Sequence, residues 1–129
     1  MTGAIESRTD DADLEQILPG VVVYRFEAPL IFANASAFTD AARALVEAAD
    51  PSARVLVVDC EVMFRIDYTG VEALEELVED LRDREVEVRL ARVHRPVLER
   101  LRSSGAIETI GKDRVFDRVA NAIGTEPLS

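Results

Sequence analysis

The order of apolar patterns along this chain predicts an α/β domain built on one mixed β-sheet. Its first strand is expected antiparallel and its later strands parallel, packed with about four or five α-helices. Three observations carry this. Val55-Leu56-Val57-Val58 is an unbroken aliphatic and β-branched run, which suits a strand buried on both faces. Val71, Leu74, Leu77, Val78 and Leu81 recur at helical spacing just downstream, with acidic residues on the other positions. Strand-like and helix-like segments then alternate, which implies crossover connections between parallel strands.

Residues 1–17 form a polar, acidic lead-in without a sustained period, closed by Pro19-Gly20. The domain is expected over residues 18–124, with a tail at 125–129. Val21 to Phe26 has strong β-propensity. Glu27-Ala28-Pro29 breaks it, and Leu30-Ile31-Phe32 resumes as a second short strand, so the pair predicts a hairpin. Asn34-Ala35-Ser36 offers helix-capping chemistry, and Phe38, Ala42, Leu45, Val46 and Ala49 trace one apolar helical face, ended by Asp50-Pro51-Ser52. After the buried strand and an irregular stretch through Met63, Phe64 and Ile66, an acidic helix is expected from about Val71 to Arg84. Val86, Val88 and Leu90 alternate with Glu87 and Arg89, predicting a strand with one face buried and one wet. Pro96 opens a further helix with Val97, Leu98 and Leu101 inward, and Ser103-Ser104-Gly105 stops it. Ile107 and Ile110 read as a brief apolar connection. Asp113 is expected to cap a last helix whose core face holds Val115, Phe116, Val119 and Ile123.

Composition narrows the function. A chain of 129 residues, 48% hydrophobic, fits one domain that buries roughly two thirds of its unfolded surface. Fifteen basic against twenty-five acidic residues leave a net charge of −10, a field that repels nucleic acid and anionic lipid. Cys60 has no disulfide partner and ends the apolar strand, so it is a small buried residue of a reducing compartment. No apolar stretch approaches the roughly 20 residues that span a bilayer, and the acidic first twenty residues lack a signal peptide's apolar region. The single His94 has no Cys or carboxylate partner at metal-ligand spacing, and no Gly-rich phosphate loop occurs. The carboxylates between Glu72 and Asp83 fall mostly on the polar helix face, where a solvated surface is a better reading than an acid/base pair. No enzymatic activity is expected, nor any metal or cofactor.

One stretch does suggest binding. Ile66-Asp67-Tyr68-Thr69-Gly70 lies between the buried strand and the acidic helix, so an Asp and two hydroxyls meet the positive end of a helix. With parallel strands, three loops share one sheet edge: Phe32-Ala33-Asn34, Arg65 to Gly70, and Ala91 to Arg95. That edge collects Arg65, Arg92 and Arg95, local positive charge suited to an anion. The competing reading pairs these arginines with Asp59, Glu61 and Asp67 and leaves Asp67 or Thr69 as a helix cap.

The segment Leu18-Pro-Gly-Val-Val-Val-Tyr-Arg-Phe-Glu-Ala-Pro-Leu-Ile-Phe-Ala-Asn-Ala35, followed by Phe38, resembles the start of a STAS domain. More narrowly it is similar to the C-terminal cytoplasmic STAS domain of bacterial sulfate permease (SulP) type anion transporters. Val57-Val58-Asp59 through Ile66-Asp67-Tyr68-Thr69-Gly70-Val71 resembles that family's "Ile-Asp-x-Thr-Gly" turn, and Val97, Leu98, Leu101 and Gly105 match less distinctively. The resemblance implies a regulatory domain on the cytoplasmic side of the inner membrane, soluble when excised, whose partner is the transmembrane domain of a parent sulfate or anion transporter. It also implies GTP or ATP as a ligand, bound weakly by Asn34, Arg65, Asp67, Tyr68, Thr69, Gly70, Arg92 and Arg95. STAS domains also occur alone as anti-sigma factor antagonists regulated by phosphorylation, with a turn reading "Asp-Ser-Ser-Gly". This chain has Tyr68 at the phosphoryl-accepting Ser, and Thr69 keeps the second hydroxyl as the phosphorylation candidate.

Overall fold

A computed structural model describes residues 18–126, so the acidic lead-in and the end of the tail lie outside the described residues. The elements follow as β1 (Val21–Arg25), α1 (Ala35–Ala48), β2 (Val55–Asp59), α2 (Tyr68–Asp83), β3 (Glu87–Ala91), α3 (Arg95–Ser103), α4 (Ala106–Ile110), a 3-10 turn (Lys112–Arg114), β4 (Val115–Phe116) and α5 (Val119–Gly124). The strands form one sheet in the order β1-β2-β3-β4.

Every neighbouring pair in that sheet is parallel, which corrects the antiparallel first strand expected above. Val21 lies opposite Val55 and Arg25 opposite Asp59, because α1 carries the chain back across the sheet before β2 begins. The hairpin fails for a reason visible in its hydrogen bonds. The amide of Leu30 donates to the Arg65 carbonyl at 2.9 Å, that of Ile31 to Asn34 Oδ1 at 2.9 Å, and that of Phe32 to Asp67 Oδ2 at 2.9 Å. No donor in this segment remains for β1. Leu30 instead makes a single parallel bridge with Ile66.

Period-two alternation divides the core between two faces. On one, Val22, Tyr24, Leu56, Val58, Val88 and Leu90 join Phe38, Leu74, Leu77, Leu81, Leu101 and Ile110 in a cluster built with α1 to α4. On the other, Val21, Val23, Val55, Val57 and Ala91 meet Val119, Ala122 and Ile123 of α5. β2 is buried along its whole length, as its unbroken apolar run requires.

Three expectations for the later chain change. Arg89, expected on a wet face, is buried under α5, where its guanidinium donates to the carbonyls of Ala122 at 2.5 Å and Thr125 at 2.6 Å. It also pairs with Glu87 at 2.6 Å, so a buried cation satisfies carbonyls that the helix end leaves open. Val115 and Phe116, expected in the last helix, pair with Leu90 and Ala91 as β4, and Asp113 sits in the 3-10 turn rather than capping α5. Ile107 and Ile110 belong to a helix of five residues, too short to show a period.

Candidate functional site

Parallel strands place the loops after β1, β2 and β3 at one edge, and three of their contacts bring them together. The first is the junction of the β1–α1 loop with the Ile66–Gly70 turn. There Leu30 pairs with Ile66, its carbonyl accepts from the Asp67 amide at 3.1 Å, and its own amide reaches Arg65. Asn34 folds the same loop on itself, donating from Nδ2 to the Pro29 carbonyl at 2.8 Å while Oδ1 holds Ile31. Asn34 therefore works as a loop brace and makes no side-chain cap to α1.

Asp67 is the N-cap of α2 and also the clasp between the two loops. Oδ1 accepts from the Gly70 amide at 2.8 Å, and Oδ2 accepts from the Phe32 amide at 2.9 Å. These donors, the Gly70 amide foremost, hold its carboxyl below the ordinary Asp range, with the charge of Arg65 adding a smaller pull. The helix terminus expected to receive an anion thus already holds the chain's own carboxylate. Gly70 is required by space. A Cβ there would stand 2.3 Å from the Leu30 carbonyl oxygen and 2.9 Å from Ile66 Cγ1. Thr69 lies half-buried beside it in the first turn, and Tyr68 projects outward, its hydroxyl pushed up in pKa by the carboxylate of Glu72.

The second contact joins the loops after β2 and β3. Arg92, in the left-handed backbone region at φ 58°, donates to both oxygens of the fully buried Asp59 at 3.1 and 2.6 Å, and stands 3.4 Å from Glu61. Glu61 is shared with Arg25 at 3.2 Å. Of the three arginines predicted for an anion, Arg92 is therefore committed to carboxylates of the fold. Arg65 and Arg95 are exposed. The third contact packs the Phe64 ring against that of His94, centroids 4.7 Å apart and planes tilted by 38°, and a His94 ring nitrogen lies 2.5 Å from the Glu61 carbonyl oxygen. Cys60 is buried at the base of this edge, and desolvation raises its thiol to about 12, so it stays protonated and unreactive.

Sequence reasoning placed Tyr68 in the site but missed the exposed Phe32 and Phe64 near it. Phe32 is 79% exposed, Phe64 59% and Tyr68 69%; the first two stand on the loops just described and Tyr68 opens α2. The available signal was that Phe32 and Phe64 fit no apolar period. A trough of about 650 Å³ opens at the opposite edge between Arg54, Arg82, Glu87 and Arg114, and it contains none of the predicted site residues. Among the described residues, no cluster of His, Cys, Asp and Glu could hold a metal, and no helix is long and apolar enough to cross a membrane.

Comparison with known proteins adds the family. The model of the STAS domain matches residues 14–122. A probable sulfate transporter of Mycobacterium tuberculosis is 33% identical over 114 residues, covering 88% of this chain and 20% of the transporter. The crystal structure of a sulfate transporter family protein from Wolinella succinogenes aligns with a TM-score of 0.72 at 26% identity, covering 88% of this chain and 93% of that one. The SulP transporter STAS domain from Vibrio cholerae shares the fold, with a TM-score of 0.69 at 21% identity over 87% of this chain and 88% of its own. The chain spans about one fifth of the length of the sulfate transporters it matches.

Proposed function

The chain belongs to the STAS domain family, and from that premise we propose that it is the regulatory domain of a SulP-type sulfate or anion transporter. In this reading it has no enzymatic activity, lies on the cytoplasmic side of the inner membrane, and acts through contacts with the transmembrane domain of its parent. One observation carries the proposal: nearly the whole chain aligns with a minor part of a sulfate transporter, 88% of one against 20% of the other. The anti-sigma antagonist alternative has less support, because Tyr68 replaces the phosphoryl-accepting Ser and Thr69 alone remains for a kinase. The test is sulfate uptake by the product of the full reading frame, with and without residues 18–126. Membrane spans preceding the domain, and uptake altered by its deletion, are the expected results. A reading frame without membrane spans would overturn the proposal.

Weak nucleotide binding is a second reading, supported by the exposure of Arg65 and Arg95 at the carboxyl edge of an acidic protein. With Asp67 filling the helix terminus, GTP or ATP would be held by few groups. Dissociation constants of about tens of micromolar to millimolar follow. Nucleotide should shift the amides of Tyr68 to Glu72, and Arg65→Glu or Arg95→Glu should abolish the shifts while Arg54→Glu, exposed at the opposite edge of the sheet, does not. An unperturbed spectrum at millimolar nucleotide would remove this reading.

A further inference from the structure

Large apolar side chains are ordinarily scattered singly over a surface, whereas contiguous ones mark contact sites. Phe32, Phe64 and Tyr68 are all exposed and stand on chain segments that meet. The Leu30–Ile66 bridge and the bond from the Phe32 amide to Asp67 bring Phe32 beside the residue preceding Tyr68, and Phe64 leads into the same turn. Phe64 rests one side on His94, but all three rings stay mostly in water, where they do little for the fold.

A second feature runs directly from this rim. Below Tyr68 the outward stripe of α2 continues through Glu72, Glu76, Glu79 and Asp83, all exposed and at helical spacing. Among the described residues none of these four carboxylates stands in an ion pair, while nearby Asp80 is bonded to Arg43 and Arg84. Like charges at this spacing repel and weaken the helix. The stripe is thus unfavourable to the isolated chain, just as the rings are.

We propose that the Phe32–Phe64–Tyr68 rim and the acidic stripe of α2 together form a docking surface for an amphipathic, Lys/Arg-rich protein segment. Charge complementarity selects that occupant: apolar side chains would cover the rings, and cations would lie along the carboxylates. An anionic lipid surface would meet repulsion from the same stripe. The inference rests on the transporter reading for the segment's origin, since cytoplasmic loops of membrane proteins carry an excess of Lys and Arg.

The test is an NMR titration of the labelled chain with a Leu/Lys amphipathic peptide, beside the same peptide with Lys replaced by Glu, and beside zwitterionic and anionic vesicles. The Lys peptide should move the amides of Phe32 and of Phe64 through Glu79. Glu72→Gln/Glu76→Gln/Glu79→Gln should weaken binding about tenfold while leaving Tm unchanged or higher, a combination that a merely structural role would not give. Phe32→Ala/Phe64→Ala should weaken it by about tenfold or more, and Glu99→Gln on α3 should have no effect. Equal affinity for the Glu peptide, shifts confined to α3 or the opposite trough, adsorption to vesicles in preference to the peptide, or no binding at millimolar peptide would each overturn the proposal. A parent without membrane spans would instead remove the transporter reading and leave this titration to be judged alone.

Discussion

Asp67 and Tyr68 are adjacent in the chain and opposite in use. Asp67 has both oxygens bound to backbone amides, one in its own helix and one in the β1–α1 loop. Tyr68 turns away from the protein with Phe32 and Phe64. The most recognisable motif of the sequence is therefore first a clasp. Its inner residues join two loops, and its outer neighbours form the surface those loops display. Gly70 belongs to the inner set, because only a residue without a Cβ lets α2 approach the Leu30 carbonyl.

The largest effect that could break this division is at Gly70. Gly70→Ala should destabilise the chain by about 3 kcal/mol or more in urea unfolding, since the new methyl meets backbone rather than a movable side chain. A change under about 0.5 kcal/mol would mean that the two loops are not tightly clasped. Asp67 comes next, and pH isolates it. Its native pKa lies below the unfolded value of 3.8, so the stability it contributes is full above that pH and is lost as pH falls through the depressed native value. Asp80 shifts in the same direction through Arg43, so the informative quantity is the difference between wild type and Asp67→Asn. That difference should shrink as the solution is acidified through this window. A difference constant with pH would show that the Asp67 charge has no part in the clasp. The smallest effect is expected on the outer surface. Phe32→Ala and Tyr68→Ala should each alter stability by no more than about 0.5 kcal/mol, and a larger loss would place those rings in the fold rather than on the display.

The inner set was largely legible in the sequence, and the outer set was not. Val55–Val58 and the Val71–Leu81 period announce β2 and α2 because burial on two faces, or on one helical stripe, leaves a local pattern. The Asp67 cap was legible for the same reason, since its partner Gly70 is local. Its second partner, Phe32, is distant in sequence, and no local pattern encodes such a pairing. The direction of β1 was misread on the same ground: Leu30-Ile31-Phe32 looks like a strand until its amides are traced to Arg65, Asn34 and Asp67. Arg89 looked wet because alternation reports one sheet face at a time, and the helix covering the other face is only six residues long. Arg92 was legible as a cation, with pairing to Asp59 and Glu61 as one of its two readings; what decides for that pairing is a left-handed backbone that no periodicity predicts.

Asp67 and Gly70 bind this edge inward to the fold, and in the proposed reading its aromatic rim binds outward to the membrane domain of a parent protein. Photocrosslinking tests it most directly. A photoreactive residue at Phe64 in the full-length protein should join this domain to a Lys/Arg-rich cytoplasmic loop of the membrane domain, and the same residue at Glu99 on α3 should not. Crosslinks from Glu99 alone, or none from Phe64 in a protein still active in sulfate uptake, would contradict the claim.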